Sequence, residues 1–163
     1  MLARLLPRAA GNPFFLEALV RMLVDDGVID TRQRPWVLHE DRLAALRVPE
    51  TLVAVLQARL DALPADELTA LQRSSIVGPV FWDAALAAID ARAPQALPLL
   101  EQRALVQPVP ESTFDGTAEH RFVHALLHEV TYGTVLKAER QAGHAAVARW
   151  LAERVGERAG EFL

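Results

Sequence analysis

The sequence contains no cysteine and only one lysine, Lys137. Without cysteine the chain can form no disulfide, supply no thiolate nucleophile and hold no zinc ion through sulfur. The phosphate-binding pattern Gly-x-x-x-x-Gly-Lys-Ser/Thr does not occur, so the chain alone cannot hydrolyse a nucleoside triphosphate by P-loop chemistry. None of Ser74, Ser75 and Ser112 lies in a Gly-x-Ser-x-Gly turn, which argues against a serine nucleophile. We therefore expect no enzyme activity and no catalytic residue in this chain by itself.

Excess charge of one sign and long apolar runs are lacking as well. The net charge is −4, so no overall field attracts the chain to nucleic acid or to anionic lipid. No apolar run approaches the ~18 residues of a membrane span, and Pro7 with Arg8 interrupts the N-terminal run too early for a signal peptide. These absences predict a soluble, cytoplasmic chain without membrane contact. Helix-like sequence at both ends predicts a piece of a larger protein.

What is present is a helical pattern with 52% apolar residues, enough for a sizeable core. In the first helix, Asn12 is a favoured N-cap, Pro13 suits the first helical position and Gly27 is a natural C-terminal stop. Its buried stripe is predicted to consist of Leu16, Leu19, Val20 and Leu23. Further helices are predicted to begin at Pro49, around Asp66, at Trp82 and at Pro94, the last with a restart at Pro98.

Two hairpins are predicted from short apolar runs around polar turns. The first pairs residues 28–30 with 36–38, and the second pairs 105–109 with 119–123 around the turn-rich segment 110–117. Three helices followed by a two-stranded hairpin is the order of a winged helix. After the hairpin, the apolar stripe of a last helix is predicted to contain His144, Val147, Ala148, Leu151 and Val155.

Segment 119–132 runs from a short strand directly into a helix. An apolar stripe at helical spacing places His124 in the first turn, and this stripe consists of Val123, Leu126, Leu127 and Val130. Free backbone N–H groups and the positive end of the helix dipole favour a phosphate or carboxylate at that position. From the geometry alone, His124 is either a ligand contact or a capping residue.

His120, His124 and His128 are spaced four residues apart, a separation at which two imidazoles on a helix can share a metal ion. His120 lies in the predicted strand, so the three side chains need not converge. Tyr132 stands where a second histidine would complete the metallopeptidase pattern His-Glu-x-x-His. Solvated or capping roles are the alternative for each histidine, and we expect no metal site.

Residues 101–103 lie where a winged helix presents its recognition helix to DNA, and Arg92 lies just before that helix. DNA-reading helices usually bring several Lys or Arg residues against phosphates. Here Asp90 and Glu101 offset the positive charges, which favours a packing surface over DNA binding.

The large aromatic residues are predicted to act as anchors. Trp36, Trp82 and Trp150 are most simply core or interface residues. Phe14 and Phe15 straddle the first helix, and at least one of the two rings is expected to be buried.

Three segments, taken together, carry a resemblance to a known family. They are residues 8–20 (RAAGNPFFLEALV), 48–52 (VPETL) and 121–132 (RFVHALLHEVTY). The chain resembles the STAND class of signal-transducing ATPases, in the bacterial branch found behind adenylate and guanylate cyclase domains and in large LuxR-type transcriptional regulators. The three segments occur in the order in which that family has them, and they span nearly the whole chain.

The resemblance implies a mainly α fold with three parts. Residues 1–63 would be the remnant of a helical lid with a small hairpin and a connecting helix. Residues 64–136 would be a winged-helix domain with a small β-hairpin, and residues 137–163 the first helix of a helical-repeat arm. The implied partners are an upstream P-loop ATPase core and the downstream arm, with oligomerisation after release.

The resemblance also implies a nucleotide site that exists only together with the core. Gly11 and Pro13 correspond to the Gly-x-Pro of the lid, whose proline packs on adenine, and His124 corresponds to the histidine that contacts the terminal phosphate of ADP. The cofactor of the whole protein would be ATP or ADP with Mg, and none is expected for this chain alone. The implied function is to couple the nucleotide state of the core to release of the arm and to output. The parent protein would be an ATPase, and one domain arrangement that the resemblance implies is a fusion to a nucleotide cyclase.

Two other functions stay open from the sequence. One is a free-standing winged-helix DNA-binding regulator, which the acidic charge disfavours. The other is a protein-interaction scaffold, which an exposed apolar patch on the helix 144–155 would favour.

Overall fold

The chain is built from helices and short strands in two compact units, Met1–Ala62 and Leu63–Leu163. The computed structural model describes residues 12–46 and 49–160, the last five of these by their backbone alone. Helices dominate both units, and each unit contains one small antiparallel sheet. The predicted mainly α fold class with a small β-hairpin is therefore confirmed. Within these residues, no helix is long and apolar enough to cross a membrane.

In residues 12–46 and 49–62, the first unit has three helices and one hairpin. Its elements are α1 (Pro13–Asp25), β1 (Ile29–Asp30), β2 (Val37–Leu38), α2 (Glu40–Ala45) and α3 (Leu52–Asp61). The predicted first hairpin is confirmed, because β1 pairs antiparallel with β2 and places Ile29 opposite Leu38. Helix α2 was not expected, since it has only six residues and buries none of them.

The ends of α1 follow the signals in the sequence. The side chain of Asn12 accepts hydrogen bonds from the backbone N–H groups of Phe14 and Phe15, at 3.0 and 3.3 Å. Gly27 has a φ of +65°, the left-handed conformation that ends many helices and that glycine adopts without steric cost. The buried face is turned from the predicted one and consists of Phe15, Ala18, Leu19, Met22 and Leu23.

Helix α3 packs against α1. It begins later than predicted, because Thr51 rather than Pro49 precedes it and accepts a hydrogen bond from the N–H of Ala54 at 3.2 Å. It ends at Asp61. The buried residues of α3 are Val55, Leu56, Arg59 and Leu60.

The second unit alternates helices with a three-stranded sheet. Its elements are α4 (Ala65–Val77), β3 (Val80–Trp82), α5 (Asp83–Ile89), a 3-10 helix (Ala93–Ala96), α6 (Leu97–Gln102), β4 (Val106–Pro108), β5 (Glu119–Phe122), α7 (Ala125–Thr134) and α8 (Lys137–Gly160). The restart at Pro98 is confirmed, because a short 3-10 helix precedes it and the proline lies in the first turn of α6.

Strand β5 is the centre of this sheet, in the order β3-β5-β4. Both neighbours are antiparallel to it, and His120 pairs with Phe81 on one side and with Pro108 on the other. The pairing of β4 with β5 confirms the second predicted hairpin, whereas β3 was not predicted. The order helix, strand, helix, helix, strand, strand is that of a winged helix.

Helix α8 packs against α4 and α5 through a face that differs from the predicted one. Of the expected stripe, Val147 is buried, whereas His144, Ala148 and Val155 are exposed. In the part of α8 whose side chains the structure describes, the buried residues are Gly143, Ala146, Val147 and Trp150. A small residue and a tryptophan thus define the contact.

Candidate functional site

The candidate site is the junction between β5 and α7. The helix begins at Ala125, so His124 is the N-cap residue, with φ −141° and ψ 139°, and not a residue of the first turn as predicted. Its carbonyl oxygen accepts the first hydrogen bond of the helix, from the N–H of His128 at 3.3 Å. The His124 side chain is half-buried and makes no capping hydrogen bond to the backbone.

The start of α7 has the chemistry of an anion site. In the first turn of any helix, the backbone N–H groups have no partner within the helix, and the dipole places partial positive charge there. In α7 these groups belong to Ala125, Leu126 and Leu127. An imidazole at the N-cap adds a side-chain donor beside them. The donors at this junction are thus of the kind that bind anions. Of the predicted apolar stripe, only Leu127 is fully buried.

The predicted site has two further residues, Gly11 and Pro13. Gly11 is outside the described residues. Pro13 is exposed at the first position of α1. Pro13 thus belongs to the first unit and His124 to the second.

The three histidines have separate environments. His120 is buried, and its Nε2 lies 3.1 Å from Oε1 of Glu101. His128 Nε2 lies 3.0 Å from the carbonyl oxygen of Ser75, and since a carbonyl only accepts, this nitrogen carries the proton. Across the part of the chain that the structure describes, no group of three His, Cys, Asp or Glu residues is placed to hold a metal ion.

Two charged residues at the end of α6 are paired within the second unit. Arg103 Nε lies 2.6 Å from Oε2 of the buried Glu67, and Glu101 pairs with His120. Leu99, on the exposed side of α6, has 44% of its surface accessible. Arg103 and Glu101 are therefore both paired within the second unit.

The aromatic predictions are confirmed in part. Trp82 and Trp150 stack with ring centroids 5.7 Å apart. Trp36 is 60% exposed, so it is no core residue. Phe15 is buried while Phe14 is exposed, as expected for the pair.

One cluster was missed from the sequence. The hydroxyl of Tyr132 lies 2.9 Å from Nε2 of His144, the guanidinium of Arg140 lies 4.3 Å above the Tyr132 ring, and His128 stacks on the same ring at 6.1 Å. The contacts of Tyr132 with His144 and Arg140 join α7 to α8. The signal in the sequence is the four-residue spacing of His124, His128 and Tyr132, which was considered only for metal binding.

The chain was compared with known protein families, with curated proteins and with solved structures, and none of them matches it.

Proposed function

We propose that this chain is the regulatory part of a nucleotide-switched signal-transduction ATPase of the STAND class. In this proposal the first unit is the end of the lid, the second unit carries the winged helix, and α8 opens the arm. The chain would transmit the ADP or ATP state of a P-loop core to release of the arm, and through it to oligomerisation or transcriptional output.

The observation that carries the proposal is the position of His124. It is the N-cap of α7, directly after the central strand of the sheet, and its imidazole is half-buried beside the first-turn N–H groups. The resemblance places a phosphate-contacting histidine at this residue, and the local geometry supplies the donors that a phosphate needs. The exposed ring of Pro13 is an apolar surface of the kind that can pack on a base.

His124 would hold the resting state by donating a hydrogen bond to the terminal phosphate of ADP. A longer triphosphate would no longer fit that contact. The second unit would then no longer favour the state in which it is docked on the P-loop core. The equilibrium would shift toward the state in which it is released from the core. The shift can be no larger than the difference in affinity between the two states.

The described charges do not favour the DNA-binding alternative. Arg103 is paired with Glu67, and the β4–β5 loop, residues 109–118, contains two acidic residues and no basic one. A DNA-binding surface needs several cations to displace counterions from phosphates. The scaffold alternative has one exposed large apolar side chain of the predicted stripe, Val155, which is too little for a patch.

The test is calorimetric titration of ADP into this chain alone and into the chain joined to a P-loop core. We expect heat of binding only with the core present. Equal binding with and without the core, or binding to neither protein, would overturn the proposal.

A further inference from the structure

The loop between β4 and β5, residues 109–118, is the wing of the second unit. It carries Glu111 and Asp115 and no lysine or arginine. In a winged helix that reads DNA, this loop needs basic residues to approach phosphates. Its composition therefore indicates another partner.

Two carboxylates hold the wing against the sheet. Oε2 of Glu119 accepts hydrogen bonds from the backbone N–H of Thr113 at 2.7 Å and from Nε1 of Trp82 at 3.0 Å. Oδ1 of Asp83 accepts from the N–H of Ala118 at 2.9 Å and from the hydroxyl of Thr117. Both ends of the wing tip are thus fixed to β5, β3 and the start of α5.

Phe114, between these anchors, makes the contact with the last helix. Its ring lies edge-on to Trp82 at 5.0 Å and edge-on to Trp150 at 5.3 Å. Trp82 and Trp150 stack on each other, so the three rings form one cluster. Trp150, which α8 contributes, is only 8% exposed. Edge-to-face and stacked pairs stabilise beyond the area that they bury.

We propose that the wing is an intramolecular clasp whose partner is the second half of α8. Phe114 closes the clasp on Trp150, while Glu119 and Asp83 keep the wing on the sheet. Detachment of α8 opens the cluster without unfolding the helices behind it. The inference goes beyond the proposed function and does not require a nucleotide, because every group in it belongs to the second unit.

Hydrogen exchange on the full chain tests the clasp. In Phe114→Ala, we expect the amides of residues 147–154 to exchange faster by about tenfold or more, because local opening of this part of α8 becomes easier. The amides of α4 should keep their protection. Val155→Ala is the matched control, since it removes an exposed apolar side chain from the same helix and should leave exchange unchanged.

A second variant moves the wing without touching the rings. Thr117→Val removes the hydroxyl that donates to Asp83 and should weaken the exciton couplet of the stacked tryptophans in far-ultraviolet circular dichroism. Trp36→Phe should not change that signal, because Trp36 lies in the other unit. Unchanged exchange in residues 147–154 of Phe114→Ala, or equal acceleration throughout the second unit, would overturn the clasp.

Discussion

Gly143 of α8 lies directly against Ile76 of α4. A Cβ added at Gly143 would lie 2.8 Å from Cγ2 and 3.0 Å from Cδ1 of that isoleucine, which is itself buried. The absence of a side chain therefore sets how closely the two helices approach. This contact fixes the last helix on the second unit.

Gly143→Ala should destabilise the protein. The added methyl forces Ile76 to move, at a cost of about 1–3 kcal/mol, which the better helix propensity of alanine offsets by about 1 kcal/mol. Gly133→Ala is the matched control, because nothing lies within 4 Å of a Cβ there, and it should stabilise by about 0.5–1 kcal/mol. Denaturant unfolding of both variants checks this, and equal effects would show that the helices do not meet as described.

Glu67→Gln should lower the free energy of unfolding by about 1–2 kcal/mol. The substitution removes the negative charge from the ion pair of Glu67 with Arg103, in which the glutamate is buried and the arginine is one-third exposed. Denaturant unfolding gives the value. Glu111→Gln, in the exposed part of the wing, should change it by less than about 0.5 kcal/mol.

The hydrogen bond from the N–H of Thr113 holds the pKa of Glu119 below its ordinary value, against the opposing effect of burial. A lowered pKa in the folded state means that ionised Glu119 stabilises the fold above the unfolded pKa, about 4.3, and less as the pH falls through the folded pKa. The difference in unfolding free energy between the parent and Glu119→Gln should thus be constant from about pH 7 to 5 and shrink below pH 4.3. Denaturant unfolding across that range measures it, and a difference independent of pH would contradict the assignment.

His124→Asn should separate the contribution of residue 124 to stability from its proposed contribution to nucleotide binding. Asparagine is among the most favourable N-caps, and its side chain can supply the capping hydrogen bond that His124 does not make, so the new cap should contribute up to about 1 kcal/mol to stability. Nucleotide affinity in the protein with its core should fall, because the imidazole donor is lost. Thermal unfolding and calorimetry on one preparation give both values. A large loss of stability would identify His124 as a structural residue.

Local signals predicted the helices well because their ends depend on neighbouring residues. Asn12 and Gly27 bond to backbone groups only two to four positions away. Local signals could not predict strand β3, since its three residues pair with β5. Trp82 donates a hydrogen bond to Glu119, which lies 37 positions further along the chain. Such pairing leaves no periodic pattern in a short segment.

The buried face of α8 was mispredicted for a related reason. Periodicity counts apolar side chains, whereas the contact is set by Gly143, which has none, and by Trp150. Ala104 is another position that periodicity does not predict. Its φ of 52° is a left-handed conformation that sequence rules assign to glycine, and Leu100 and Leu105 on either side of it in the sequence are buried.

For the candidate site, the sequence predicted His124 in the first turn of α7, one residue from its observed N-cap position. The start of α7 was uncertain because no Ser, Thr, Asp or Asn precedes Ala125 to mark an N-cap. The links from Tyr132 to His144 and from Phe114 to Trp150 depend on how α8 packs. Tertiary packing of this kind cannot be deduced from spacing along the chain.

The most direct test of the account is the affinity for ADP of the chain joined to a P-loop core, measured for His124→Ala and for His39→Ala. His39 is a matched control, since it is also an N-cap histidine without a capping hydrogen bond. We predict that His124→Ala weakens ADP binding by about 10–100-fold, as expected for loss of a hydrogen bond to a charged group, and that His39→Ala leaves it unchanged. Equal affinity of the His124→Ala variant and the parent protein would contradict the central claim.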